Sequence, residues 1–150
     1  MMRRNWILGT GLVCLLAAGG YGQASAATAT VPGNTCQGQL NHSRPTGPAI
    51  EANTGSDLIY CGLPRVDATS TLGTSYARVY NPGGTVTCYL YAFDSLGTTY
   101  DVDSNSTSST GSQTMSLDGA SITTYSYGYY YAFCNVPQNA KIWGIRYSEL

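Results

Sequence analysis

The sequence predicts an all-β protein, a disulfide-linked β-sandwich of about seven strands with an immunoglobulin-like or jelly-roll-like arrangement. Three observations support this fold class. Helix signals are nearly absent, and runs rich in Val, Thr, Tyr and Ile alternate with clusters of Gly, Pro, Asn and Ser. Four cysteines follow a stretch typical of an export signal. The remaining length suits one domain with a buried core, and short strands at this spacing favour a sandwich.

The strands are predicted from runs of β-favouring residues that end at turn-forming clusters. The polar stretch 104–111 is predicted to be a loop within the domain. The predicted strands span residues 57–61, 75–80, 85–93, 98–102, 112–117, 125–134 and 141–147.

Residues 1–26 are typical of an export signal peptide. Arg3 and Arg4 form a basic start, residues 6–18 are mostly apolar, and residues 24–26 fit a small-residue cleavage site. The alternative is an uncleaved anchor, although the apolar run is short for a membrane span. We therefore expect no membrane span after cleavage, and a secreted or periplasmic location.

Beyond the expected cleavage site, residues 27–35 are predicted to form a flexible arm and residues 36–150 a single domain. Five basic side chains stand against eight acidic ones there, which gives a net charge of −3. So few cations argue against nucleic acid as a partner and against a polybasic membrane contact. The basic residues are Arg44, Arg65, Arg78, Lys141 and Arg146.

The four cysteines beyond residue 26 are an even number, which predicts two disulfides in an exported domain. Four cysteines allow three connectivities, and we favour Cys36–Cys61 with Cys88–Cys134 because sequential pairing closes two separate loops. Zinc is the competing interpretation. It is disfavoured because there is no CxxC pair and His42 is the sole histidine. We expect no cofactor and no metal.

The stretch Asn81-Pro82-Gly83-Gly84 predicts a type II turn, because proline presets φ and glycine accepts a positive φ. A hairpin folded there pairs Val79 with Val86. Side chains alternate between faces along a strand, so one face is expected in the core. This core face holds Ala77, Val79, Val86, Cys88, Leu90 and Ala92. The opposite face holds Tyr76, Arg78, Tyr80, Thr85, Thr87, Tyr89, Tyr91 and Phe93.

The same alternation applies to residues 124–135, TYSYGYYYAFCN. Gly128, Tyr130, Ala132 and Cys134 share one face, whereas Tyr125, Tyr127, Tyr129, Tyr131 and Phe133 share the other. If the strands of Cys88 and Cys134 are neighbours, their tyrosines form one continuous surface. If the disulfide joins two sheets, as in immunoglobulin-like domains, the tyrosines lie on opposite outer surfaces. A third possibility is that the rings simply cover the sheet beneath loops.

The tyrosine face is the leading candidate for function. Tyrosine offers a flat ring and a hydroxyl at low entropic cost, which suits recognition of sugars or of a cell-surface polymer. An aromatic patch serves self-association or adhesion equally well, so a structural envelope protein is the alternative. The candidate ligand-binding residues are Arg78, Tyr89, Tyr91, Tyr129 and Tyr131.

Catalysis and metal binding have weaker support. Residues 101–105 read D-x-D-x-N, the start of a calcium loop, but Ser106 and Ser112 stand where an EF-hand needs Gly and Glu. His42 is isolated in a predicted loop, and no nucleophile motif occurs. A hydrolase that draws together the carboxylates of Asp94, Asp101 and Asp103 is therefore the third hypothesis, and we expect a protein that is not an enzyme.

Several short motifs resemble those of a loose group of small exported bacterial proteins of unassigned role. The motifs are residues 61–65 (CGLPR), Cys88, residues 133–137 (FCNVP) and the closing strand 143–147 (WGIRY). The resemblance covers residues 36–150 and implies a bacterial envelope or secreted β protein. It implies no catalytic or binding residues.

Overall fold

The computed structural model describes residues 27–65, 71–98 and 100–150, which form a sandwich of two antiparallel sheets. The expected signal peptide lies outside the described residues. The described chain has eleven strands instead of about seven. They are β1 (Ala27–Pro32), β2 (Gln37–Gly38), β3 (Ser43–Thr46), β4 (Ala49–Ala52), β5 (Asp57–Leu63), β6 (Thr74–Asn81), β7 (Val86–Phe93), β8 (Tyr100–Thr107), β9 (Gly111–Asp118), β10 (Tyr129–Val136) and β11 (Lys141–Glu149). Gly33–Thr35 and Gly119–Ser121 form short 3-10 helices.

The strands divide into two sheets. The first sheet has the order β3-β4-β11-β6-β9, and the second has the order β2-β5-β10-β7-β8. Strand β1 also belongs to the first sheet, where it pairs with β11 from Gly144 to Glu149. Strand β4 pairs with Lys141 and Ile142 at the start of β11, and β1 pairs with the rest of β11 beyond them.

Alternating side chains fill the core between the sheets. The six residues predicted for the core face around the 81–84 turn are all fully buried, which confirms that prediction. In β10, Tyr130, Ala132 and Cys134 are also buried, at 0–1% exposure. Removing this much apolar surface from water is the main force that holds the two sheets together.

The predicted hairpin at residues 81–84 is wrong. Strand β6 pairs with β9 and β11, whereas β7 pairs with β8 and β10, so the turn carries the chain from one sheet to the other. The buried Asn81 holds this crossing, since its Nδ2 donates to the carbonyls of Gly84 and Ser109 at 3.1 and 3.2 Å. Alternation correctly gave the side chains that face the core. Strands β6 and β7, however, belong to different sheets and are not hydrogen-bonded neighbours.

Two segments predicted to be irregular are strands. The flexible arm predicted at 27–35 is corrected, because Ala27–Pro32 is β1 and pairs along β11. The predicted loop at 104–111 is corrected in the same way, since β8 extends to Thr107. Strand β8 lies at an edge of the second sheet and is polar on much of its surface, which hid its alternation in the sequence.

Both predicted disulfides are confirmed, as Cys36–Cys61 and Cys88–Cys134. All four cysteines are buried. Cys88 and Cys134 lie directly opposite each other on the neighbouring strands β7 and β10, so their bond lies within one sheet. In the chain-entropy model, closing loops of this length stabilises the fold by about 3–4 kcal/mol for each bond. Disulfides of this kind are typical of extracellular or periplasmic proteins.

A polar cluster closes one end of the core. The guanidinium of Arg65 lies over the Tyr130 ring at 4.7 Å, and its Nε is 3.7 Å from Oε1 of Glu149. Its Nη1 donates to the Tyr125 carbonyl at 2.6 Å. The Tyr147 hydroxyl donates to the Pro64 carbonyl. This cluster ties β10 to β11 across the sandwich.

Burial affects the two tyrosine hydroxyls of this cluster. It raises the pKa of Tyr130 and of Tyr147, and the Glu149 carboxylate adds to the increase for both groups. The Arg65 guanidinium acts in the opposite direction on Tyr130. Both hydroxyls therefore stay protonated at neutral pH.

The buried Asp57 anchors the segment between β2 and β3 to β5. Its Oδ1 accepts hydrogen bonds from the backbone N–H groups of Leu40 and Leu58 at 2.9 and 2.8 Å. Its Oδ2 accepts from the Ser43 hydroxyl at 2.6 Å. Burial by itself raises the pKa of Asp57, but these hydrogen bonds outweigh it and hold the pKa below its ordinary value of 3.8.

The lowered pKa of Asp57 predicts acid sensitivity. A lowered folded-state pKa adds stability above about pH 4, and this contribution is lost as the pH falls through the folded pKa. We expect Asp57→Asn to lose about 1–3 kcal/mol at pH 7 and to depend less on pH below pH 4 than the wild type. Denaturant unfolding at a series of pH values measures this. Asp118→Asn, at an exposed position, is the control, and equal acid sensitivity of wild type and Asp57→Asn contradicts the prediction.

Candidate functional site

The outer face of the second sheet brings the predicted tyrosines together. The register that sets Cys134 opposite Cys88 also sets Phe133 opposite Tyr89, and Tyr131 opposite Tyr91. Because the two strands are neighbours, their outward side chains form one continuous surface. Of the three arrangements considered from the sequence, this is the first. We call it the aromatic face, and its rings are Tyr60, Tyr89, Tyr91, Phe93, Tyr100, Tyr129, Tyr131 and Phe133.

The rings of the aromatic face contact one another in a fixed arrangement. Phe93 and Tyr129 stack, with centroids 5.1 Å apart and planes inclined by 13°. Tyr131 stands edge-on to Tyr129 at 5.6 Å and 85°. Tyr91 stacks on Phe93 at 5.7 Å and 22°. Such pairs contribute about 0.5–1.5 kcal/mol each beyond their buried area, so the rings are held in place before any ligand arrives.

These rings line an open groove of about 570 Å³. Strand β5 borders it with Tyr60 and Gly62, and Gly62 lies directly opposite Tyr131. A Cβ built on Gly62 would lie 4.0 Å from Cε1 of Tyr131, which is an ordinary van der Waals distance. Gly62 therefore lies against the edge of the Tyr131 ring. The groove is lined by Tyr60, Tyr91, Phe93, Tyr129, Tyr131 and Phe133.

Alternation along β10 separates exposed from buried tyrosines. Tyr129 and Tyr131 are 38% and 40% exposed, whereas Tyr130 between them is 1% exposed. The predicted parity is confirmed for residues 129–134, and Tyr129 and Tyr131 are exposed. The strand predicted from residue 125 is corrected, because β10 begins at Tyr129 and the Gly128 N–H donates to the Tyr125 carbonyl, so that Tyr125 and Tyr127 lie in a turn before the strand. Tyr91 is half-buried. Its burial raises the pKa of its hydroxyl, and the neighbouring tyrosines raise it further. That hydroxyl is therefore a hydrogen-bond donor at neutral pH.

The strand residues of the aromatic face are uncharged. Alternation along β5, β7, β8 and β10 directs aromatic, aliphatic, hydroxyl and amide side chains outward and no charged ones. The Tyr60 hydroxyl donates to Oε1 of Gln39 at 2.8 Å, and the Thr87 and Ser106 hydroxyls are 2.9 Å apart. The face therefore combines flat rings with a polar border.

Arg78 does not lie beside these rings. The prediction that placed it there depended on the hairpin at 81–84, which does not exist. Strand β6 belongs to the first sheet, so Arg78 lies on the opposite outer surface of the sandwich. The other four candidate residues, Tyr89, Tyr91, Tyr129 and Tyr131, do share one face.

Sequence reasoning missed three contributors to the aromatic face. Tyr60 and Gly62 are on β5, which lies next to β10, and Tyr100 is on the edge strand β8. The signal for Tyr60 was present, because it adjoins Cys61 and so points away from the core. The neighbours of β5 and β8 in the sheet were not evident from local patterns.

The D-x-D-x-N stretch forms a seam between the sheets. Asp103 accepts the backbone N–H of Asp118 at 2.7 Å, and Asp101 accepts that of Thr123 at 2.8 Å. Asn105 donates to the Ser116 carbonyl at 2.8 Å. The hydrogen bonds from Thr123, and then from Val102, lower the pKa of Asp101. These side chains hold β8 against β9 and the segment that follows it.

The described residues contain no group of three or more His, Cys, Asp and Glu side chains placed to hold a metal ion. Nδ1 of His42 is 2.9 Å from the Ser56 carbonyl oxygen, which ties it to a neighbouring loop. In the same parts of the chain, no helix is long and apolar enough to cross a membrane.

The fold and the surface together define a class of molecule, a disulfide-linked β-sandwich with an exposed aromatic face on one sheet. No protein-family model matches the chain, and a comparison with curated proteins found no match.

The alternation along β10 predicts a pattern of chemical modification. Tetranitromethane treatment of the folded protein should nitrate Tyr129 and Tyr131, with Tyr127, which is 73% exposed, as an internal positive reference. Tyr130 and Tyr147 are 1% exposed and should stay unmodified. Peptide mass spectrometry reads the sites.

The control for this experiment is the reduced and unfolded protein, in which all of these tyrosines should react. Nitration of Tyr130 in the folded protein, with Tyr129 and Tyr131 protected, would show that the strand has the opposite parity.

Proposed function

We propose that the protein is an exported, non-catalytic binding module that holds carbohydrate chains against the aromatic face. The observation that carries this proposal is the exposed pair Tyr129 and Tyr131, which line the open groove of the aromatic face. Phe93 lies behind Tyr129 in a parallel stack, so the platform keeps its shape without a ligand. A preformed surface avoids part of the ordering cost of binding.

The chemistry of the groove suits sugar rings. A pyranose ring presents a face of C–H groups that packs on a flat aromatic ring, and tyrosine adds a hydroxyl for hydrogen bonds at the ring edge. The outward strand residues of this face are uncharged, which favours neutral sugars over acidic ones. Because the groove is open, it suits a segment of a long chain better than an enclosed small molecule.

Two features support a binding role over catalysis. The carboxylates of Asp101 and Asp103 accept backbone hydrogen bonds in the seam between β8 and β9. His42 Nδ1 lies 2.9 Å from the Ser56 backbone carbonyl oxygen. The aromatic face itself offers stacking and hydrogen bonding, and these are means of recognition.

The proposed location is outside the cytoplasm. Two buried disulfides suit an oxidising compartment, and residues 1–26 are the expected export signal. The resemblance to small exported bacterial proteins points to a bacterial envelope or a secreted protein. In that location the protein would encounter polysaccharides of the cell surface and of the extracellular medium.

Self-association is the second candidate function. Strand β8 has no partner strand on its outer side among the described strands, although the N–H groups of Val102 and Ser106 donate to the side chains of Asp101 and Asn105. Tyr100 and Val102 on this strand are 57% and 39% exposed and extend the aromatic face to the edge. A second copy that pairs along β8 would produce an adhesive or structural assembly.

Alanine substitution tests the carbohydrate proposal. We expect the mature protein to bind at least one of a panel of neutral oligosaccharides of glucose, mannose and N-acetylglucosamine. Tyr129→Ala and Tyr131→Ala should each weaken that binding about tenfold or more, because a central aromatic contributes roughly 2 kcal/mol to recognition. Isothermal titration calorimetry measures the affinities.

Tyr80→Ala is the matched control, since Tyr80 is equally exposed, at 37%, on the other sheet. Equal binding by the wild type and both β10 variants removes the proposal. Analytical ultracentrifugation separates the alternative: assembly that grows with concentration and vanishes in Tyr100→Lys, without saccharide binding, supports self-association.

A further inference from the structure

The outer face of the first sheet holds a second groove, of about 670 Å³. Two arginines and two aromatic residues line it, together with small and polar neighbours. They are Tyr76, Arg78, Trp143 and Arg146. This surface lies on the opposite side of the sandwich from the aromatic face, and its chemistry is different.

The register of β6 and β11 brings these side chains together. Arg146 pairs with Tyr76, and Gly144 pairs with Arg78 two residues further along. Arg78 and Arg146 are therefore diagonal neighbours, about 7–8 Å apart at their backbones. A bulge between Ile142 and Gly144 adds Trp143 to the outer surface, where it is 37% exposed.

Positive charge is concentrated on this sheet although the chain beyond residue 26 is acidic overall. Arg65 is buried against Glu149 at the end of the core. Strand pairing places the other four basic residues on the first sheet, and Lys141 lies 3.8 Å from the Glu51 carboxylate. Those four are Arg44, Arg78, Lys141 and Arg146.

Arg78 and Arg146 are exposed and make no ion pair or hydrogen bond with any described residue. A guanidinium offers five N–H donors in a planar fork that fits a carboxylate in two parallel hydrogen bonds. Trp143 and Tyr76 supply ring surfaces in the same groove. Two unengaged guanidinium groups beside two aromatic rings match a ligand that carries both anionic groups and ring faces.

We propose that this groove binds an acidic polysaccharide, whose carboxylates engage Arg78 and Arg146 while its sugar rings pack on Trp143 and Tyr76. Nucleic acid is the competing polyanion, but the net charge of −3 beyond residue 26 and only two unpaired arginines in the groove would give few phosphate contacts. This site is separate from the aromatic face and does not depend on the function proposed for it. A domain with both surfaces would join a neutral polysaccharide on one side to an acidic polysaccharide on the other.

The test uses polygalacturonate as the carboxylated probe, dextran sulfate as the sulfated probe and single-stranded oligothymidylate as the nucleic acid. We expect the mature protein to bind polygalacturonate, with affinity falling as salt rises. Arg78→Gln and Arg146→Gln should each weaken that binding about tenfold, because charged hydrogen bonds are the strongest in such sites. Trp143→Ala should also weaken it, whereas Tyr129→Ala should leave it unchanged.

Arg44→Gln is the matched control, since it removes the same charge from the same sheet outside the groove. Circular dichroism confirms that each variant is folded. No binding to polygalacturonate, or an equal loss in Arg44→Gln, overturns the proposal. Preference for dextran sulfate over polygalacturonate overturns carboxylate recognition, and preference for oligothymidylate overturns a saccharide ligand.

Discussion

The Cys88–Cys134 bond joins two neighbouring strands of one sheet, and the aromatic face depends on it. A covalent link between directly opposite residues fixes the register of β7 against β10. Side chains alternate along each strand, so sulfur atoms that point into the core send the adjacent rings outward. A slip of one residue would bury the rings and expose the core, so the disulfide stabilises the surface as well as the fold.

The two outer surfaces of the sandwich carry different chemistry. The second sheet presents stacked, uncharged rings, and the first sheet presents arginines beside Trp143 and Tyr76. Polar groups that cannot face water are paired inside: Asp57 binds backbone N–H groups, and Arg65 stacks on Tyr130. Arg78 and Arg146 make no ion pair or hydrogen bond with any described residue, so they remain available to a ligand.

The sequence was enough to predict the sandwich class, both disulfides and the exposed face of β10. It was not enough to predict which strands are neighbours. Alternation gave the correct face for Tyr129, Tyr130 and Tyr131, because it depends only on strand geometry. Strand partners depend on long-range packing, so the hairpin at 81–84 and the position of Arg78 were wrong. Strand β1 was missed because its stability comes from pairing with β11, far along the chain.

We propose that sugars bind to the aromatic face, and NMR of protein with isotope-labelled tyrosine tests this binding most directly. The proposal predicts that a neutral oligosaccharide shifts the ring signals of Tyr129 and Tyr131 in a saturable way. Tyr80, on the other sheet, should not respond. Shifts confined to Tyr80 and Tyr76, or no shifts with any neutral oligosaccharide of the panel, would contradict the claim.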